Sequence, residues 1–157
     1  MGVLADQFQM LLPQLSLEAR QIVAAVADKA GVIGSASNLA RELGAPNRHY
    51  IARLLRREGL PPIEELCGWI SVLDLLYRYE ESHASLYQLA LRSTRHPPTC
   101  YRTIKRIIGK TWAEARSEGF HVALIAFLRR CAELRSRSGA VPVKGMRSAL
   151  GFRRVAG

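Results

Sequence analysis

RELGAPNRHYIARLLRREGLPP, residues 41–62, decides how this chain is read. Gly44, Pro46 and Asn47 interrupt it, a run of bulky apolar residues dotted with arginine follows, and Gly59, Pro61 and Pro62 stop the run. Glycine tolerates the left-handed backbone that ends a helix, while Pro46 and Asn47 suit a turn or the start of the next helix. Ile51, Leu54 and Leu55 recur at spacings of three and four, which predicts the buried face of a helix ending near Glu58. The opposite side then carries Arg48, Arg53, Arg56 and Arg57. Upstream, Ser35 is a predicted cap for a short helix through Leu43. A short helix, a turn and a basic helix form the layout of a helix-turn-helix unit.

The layout recurs at 85–109. Ser82 or Ser85 caps a short helix through Ser93, Pro97–Pro98 break the chain, and another helix runs to Ile108 before Gly109. Between the two units, Leu66, Trp69, Ile70, Leu73, Leu76 and Tyr77 mark an amphipathic linker helix. Ser16 caps a predicted helix from Leu17 to Lys29, with Ile22, Val23 and Val26 on one side. Residues 1–15 are weakly patterned, with Phe8, Met10, Leu11, Leu12 and Leu15 as packing candidates. Trp112 to Glu118 suggest one or two turns. Leu124, Phe127, Leu128, Cys131 and Leu134 form a last helical stripe, read first as core and second as a dimer or polymerase contact. The tail from Ser136 lacks a period and reads as loop or extension. No strand pattern survives. The expected fold is all-α, about seven helices in two helix-turn-helix subdomains joined by a linker helix. Its expected divisions are 1–34, 35–60, 61–82, 83–118 and 119–157.

Charge follows the same divisions. Lys and Arg number 23 against 13 Asp and Glu, a net of +10. Residues 45–60 carry +3 and 83–112 carry +6, whereas 61–82 carry −4; residues 1–44 hold −1, 113–136 hold +1 and 137–157 hold +5. Both predicted second helices are positive and the linker between them is negative. Basicity needed only for solubility would not require that partition, whereas helices laid on phosphates would.

Other classes find little support. Cys67, Cys100 and Cys131 lie far apart without CxxC spacing, which speaks against a disulfide framework and a zinc site and for reduced thiols in the cytosol. His49, His83, His96 and His121 show no metal-ligand spacing, so no metal is expected. The longest apolar run, Val122 to Leu128, is too short to cross a bilayer, and no signal peptide is evident. There is no phosphate loop, dinucleotide fingerprint or nucleophile elbow, so neither an enzyme nor a bound cofactor is expected.

NLARELG followed by RHYIARLLRREG resembles the first helix-turn-helix of AraC/XylS-type transcription regulators. LALRS with RTIKRIIGKTWAEAR resembles their second unit. The likeness spans roughly Ser35 to Arg116. It departs in a first turn one residue longer, in the lack of a turn glycine near Ser93 and Thr94, and in Ile104, Trp112 and Ala115 where the family has Phe, Pro and Tyr. No effector-binding barrel precedes Ser16, so the chain resembles stand-alone members. The resemblance implies an activator on double-stranded DNA, beside RNA polymerase, in the cytoplasm on the nucleoid, as a monomer or weak dimer.

In such a unit the second helix enters the major groove, and a small residue such as Ala40 lets the first helix cross it closely. Arginine reads guanine and asparagine reads adenine through paired hydrogen bonds. The base-contact candidates are therefore Asn47, Arg48, His49 and Arg53 in the first unit, beside Ala52. Thr99, Tyr101, Arg102 and Lys105 are their counterparts in the second. Arg56, Arg57, Arg95, His96 and Arg106 are the phosphate candidates, and Ile104, Ile107 and Ile108 are expected core. Tyr101 could equally touch DNA or pack, and Trp69 is the expected keystone of the linker. Two such units would meet successive grooves ~34 Å apart, and a rigid linker helix that fixes their spacing would require the DNA to bend, at about 1–6 kcal/mol. The competing expectation is a degenerate helix-turn-helix protein that binds a protein partner, or DNA without sequence preference.

Overall fold

A computed structural model describes residues 2–138. The expected tail beyond Ser138, with most of its +5 charge, lies outside the described residues. All regular structure among them is helical: α1 (Val3–Leu11), α2 (Leu17–Asp28), α3 (Ala36–Leu43), α4 (Arg48–Glu58), α5 (Ile63–Ser82), α6 (Leu86–Arg92), α7 (Pro97–Ile108), α8 (Trp112–Glu118) and α9 (Phe120–Ser138). The chain is all-α, with nine helices among the described residues rather than about seven. The weakly patterned start is a helix whose inner side is Leu4, Ala5 and Phe8. Met10, expected to pack, is 79% exposed. Pro97 and Pro98 do not interrupt the chain but open α7, where their missing N–H groups are no loss and their φ already suits a helix. Ser136 to Ser138, expected in the tail, continue α9.

The helices group into two compact units, and the division falls inside both α5 and α9. One unit is built from the chain up to Cys67 and again from Cys131, the other from Gly68–Arg130. The first unit's core holds Phe8, Leu12, Ile22, Val23, Val26, Leu39, Ile51, Leu55 and Leu66. Glu58 ends α4, where a carboxylate opposes the helix dipole. Its Oε1 accepts a hydrogen bond from the Ser16 backbone N–H at 3.0 Å, tying α4 to the start of α2. Gly59 follows with φ +76°, and a Cβ there would stand 3.1 Å from the Arg135 Cα of α9. Only glycine meets both conditions.

In the second unit α5 is enclosed on more sides than an amphipathic stripe requires. Val72 and Leu75 are buried as fully as Ile70, Leu73 and Leu76, whereas the expected Tyr77 is half-buried. The Trp69 ring lies 5.6 Å from Phe127, Tyr77 5.9 Å from Phe120, and Tyr79 5.6 Å from Trp112. Trp69 is thus a packing centre, and α9 enters this unit's core through Ala123 and Phe127. Two of α5's acids are structural. Asp74 pairs with Arg78 and Arg95, and Glu80 accepts from the Phe120 N–H at 2.7 Å at the start of α9. These internal duties account for part of the linker's acidity.

Candidate nucleic-acid interface

Each unit contains a helix pair joined by a tight turn. In the first, the Ser35 side chain caps α3 through the Asn38 N–H at 3.0 Å. Gly44 takes φ +72°, and the Ala45 N–H donates to the Ala40 carbonyl at 2.9 Å. In the second, Ser85 and Gln88 form a reciprocal capping box on α6. Thr94 takes φ +53°, and the Arg95 N–H donates to the Ala90 carbonyl at 2.8 Å. Ala40 and Ala90 are both buried. The turn without glycine therefore adopts the same left-handed geometry as the one with it, at Thr94, although a β-branched residue is poorly suited to it. Two residues separate Gly44 from the Asn47 cap of α4, and one separates Thr94 from the His96 cap of α7. The first turn is the longer by one residue.

Burial divides α4 cleanly. Ile51, Leu54 and Leu55 are buried, while Arg48, His49, Ala52, Arg53, Arg56 and Arg57 are exposed. Burial of three such side chains, each contributing about 1.5–3 kcal/mol, sets the helix's rotation and turns the cationic side outward. Arg48, His49, Arg53 and Arg56 make no side-chain hydrogen bond or ion pair among the described residues; Arg57 approaches Glu58 at 4.0 Å. Asn47 is corrected. Its Oδ1 accepts from the Tyr50 N–H at 3.0 Å as the α4 cap, so the paired contact that reads adenine would require breaking the cap.

One wall of an open groove of about 650 Å³ is formed by Arg48, His49, Ala52 and Arg56, and Leu134, Arg137 and Ser138 of α9 line it from elsewhere in the same unit. The exposed Arg137 thereby joins the α4 cations. Sequence reasoning left Arg137 in a structureless tail; its only signal there was the +5 of residues 137–157.

On α7, Cys100 and Ile104 are buried, and Thr99, Tyr101, Arg102, Lys105 and Arg106 are exposed. Tyr101 is 49% exposed, so it is not core. Ile107 and Ile108 are half-buried rather than core, because they sit at the helix end beside a small apolar cavity that also borders Trp69 and Val122. Counted from the first helical residue, Cys100 stands where Ile51 does and Ile104 where Leu55 does. The two helices therefore present the same side outward, with Tyr101 and Arg102 in the places of Ala52 and Arg53.

Comparison with protein-family models, curated proteins and solved structures finds no match to this chain.

The phosphate candidate Arg95 is corrected. Its side chain is 6% exposed, and its Nη2 donates to Asp74 Oδ2 at 3.0 Å and Nη1 to Ser93 Oγ at 3.3 Å. It ties the α6–α7 turn to α5 instead of facing solvent. A spacing pattern cannot distinguish this arginine from a surface one, since only the fold reveals the carboxylate 21 positions earlier. His96 stays exposed, with Nδ1 3.3 Å from Thr99 Oγ1. Among the described residues, no group of His, Cys, Asp and Glu is gathered as a metal would require, and no helix is long and apolar enough to cross a membrane.

Proposed function

We propose that this protein is a sequence-specific, double-stranded-DNA-binding transcription regulator of the AraC/XylS kind. It acts as an activator beside RNA polymerase, in the cytoplasm on the nucleoid, as a monomer or weak dimer. The pairs α3–α4 and α6–α7 are read as helix-turn-helix motifs, with α4 and α7 as the helices entering the major groove. One observation carries the reading: α4 buries only apolar side chains and exposes four arginines and a histidine. A helix that merely covered a core would need no such one-sided charge.

Arg48 and His49 at the start of α4 and Arg53 in its middle are read as the base-edge contacts, and Arg56, Arg57 and Arg137 as phosphate contacts. Selection from a random duplex pool tests this directly. A regulator enriches a site with two elements about ten base pairs apart and exceeds its affinity for random DNA by about 10³ or more. Arg57→Ala should weaken all sequences alike and lower the salt slope by about 0.9, the share of one phosphate.

A second reading, an interaction protein that binds a protein partner or DNA without sequence preference, draws on the internal engagement of cations in the second unit. It prevails if selection enriches nothing while a protein partner co-purifies.

A further inference from the structure

Resting on the DNA-binding reading, we infer that the two units divide the work: α4 reads the sequence, and α7 anchors the duplex with little base preference. The side chains at matched positions carry the argument. The first two residues of α4 are Arg48 and His49, both exposed and uncommitted among the described residues. Arg48 supplies the forked donor that matches guanine. In α7 the same two positions are Pro97 and Pro98. Proline has no side-chain donor or acceptor and no backbone N–H, so these two positions of α7 offer nothing with which to discriminate bases.

The cations that α7 does carry are partly engaged within the protein. Arg102 Nη2 donates to Thr99 Oγ1 at 3.2 Å, drawing the guanidinium back along its own helix and occupying the hydroxyl. Arg106 Nη2 lies 3.4 Å from the position a Cβ would take on Gly68 of α5, so its side chain folds back along the second unit. Lys105 sits within electrostatic reach of Glu114, whose carboxyl it helps hold below the usual range after the dominant hydrogen bonds from Thr111. Arg95 is buried. Such charges still attract phosphates, which accept approach from many directions. They are poorly placed for paired bonds to a base edge, which demand a free, extended side chain.

The experiment compares selection profiles from a random duplex pool for the full chain, for Arg48→Ala and for Arg102→Ala, with circular dichroism to check helicity. The expected profile has one strongly constrained element and one weakly constrained element about ten base pairs away. Arg48→Ala should flatten a base pair of the strong element by about ten- to hundredfold. Arg102→Ala should lower affinity on all sequences by severalfold and leave the profile's shape unchanged. Two equally constrained elements, or loss of the strong element in Arg102→Ala, would overturn the division of labour while leaving the regulator reading intact. A pool that enriches no sequence overturns both.

Discussion

Removing the Asp74 carboxylate should cost far more than removing the arginine it holds. Asp74 accepts from Arg78 Nε at 2.8 Å and from Arg95 Nη2 at 3.0 Å. The Arg95 side chain is 6% exposed and that of Arg78 is 48% exposed. In Asp74→Ala, the buried guanidinium loses its counter-charge without gaining water, which costs about 3–5 kcal/mol. In Arg95→Met, the carboxylate keeps Arg78 as its counter-charge, and the methionine fills the space. That loss should be about 1–2 kcal/mol, on the scale of a single charged hydrogen bond. Asp74→Leu with Arg95→Met replaces the buried pair by apolar side chains and should come close to the parent, within about 1–2 kcal/mol, because such replacements are often neutral. Urea unfolding followed by circular dichroism and tryptophan fluorescence reads these differences. Trp69 and Trp112 both belong to the unit concerned. A double variant as unstable as Asp74→Ala, or two single variants of equal cost, would refute the stranded-charge argument. The same double variant tests the correction of Arg95. If that arginine touched a phosphate, the salt slope on random duplex would fall by about 0.9; the structure expects it unchanged.

Thr94→Gly should stabilise the protein by about 0.5–1 kcal/mol, since glycine relieves the φ of +53° at some cost in chain entropy and the Thr94 hydrogen bond to Ser93; destabilisation in a urea titration would show that the turn is not strained. Gly59→Ala should cost about 2–4 kcal/mol, because both the φ of +76° and the Arg135 backbone oppose a Cβ; a loss under ~0.5 kcal/mol would mean that α9 does not pack there. Burial, reinforced by Glu64, pushes the Cys67 thiol up to about 11, so alkylation at pH 8 should run roughly a hundredfold slower in the folded chain than after unfolding. Because this folded pKa is raised, its stabilising contribution is complete below pH 9 and is lost as the pH climbs toward about 11. Glu114 is the opposite case: hydrogen bonds from Thr111 lower its pKa, so its contribution is present above the unfolded pKa and is lost as the pH falls through the folded one. Thr111→Ala should reduce the acid dependence of stability, and an unchanged acid limb would remove that cap from the account.

Local chemistry was legible wherever a short stretch decides its own conformation. Ser16, Ser35 and Ser85 cap helices as expected because a hydroxyl needs only the N–H three residues on. Gly44, Gly59 and Gly109 end helices because only local backbone sterics are involved. The exposed cations of α4 and α7 followed from the spacing of the apolar residues that must face inward. Several misses share one cause, dependence on a partner distant in sequence. α1 shows little pattern of its own and is helical against α2. Val72 and Leu75 of α5 are buried although they lie off the predicted stripe.

What the order of residues determined alone is therefore the helical class, the two repeated pairs with their turns, and the outward cationic sides, since period and capping act within one helical turn. Tertiary structure decided which charges remain available. It buried Arg95 against Asp74, laid Arg106 along α5 near Gly68 and brought Arg137 beside α4. A charge acts through its surroundings, and those are assembled from segments that no local spacing connects.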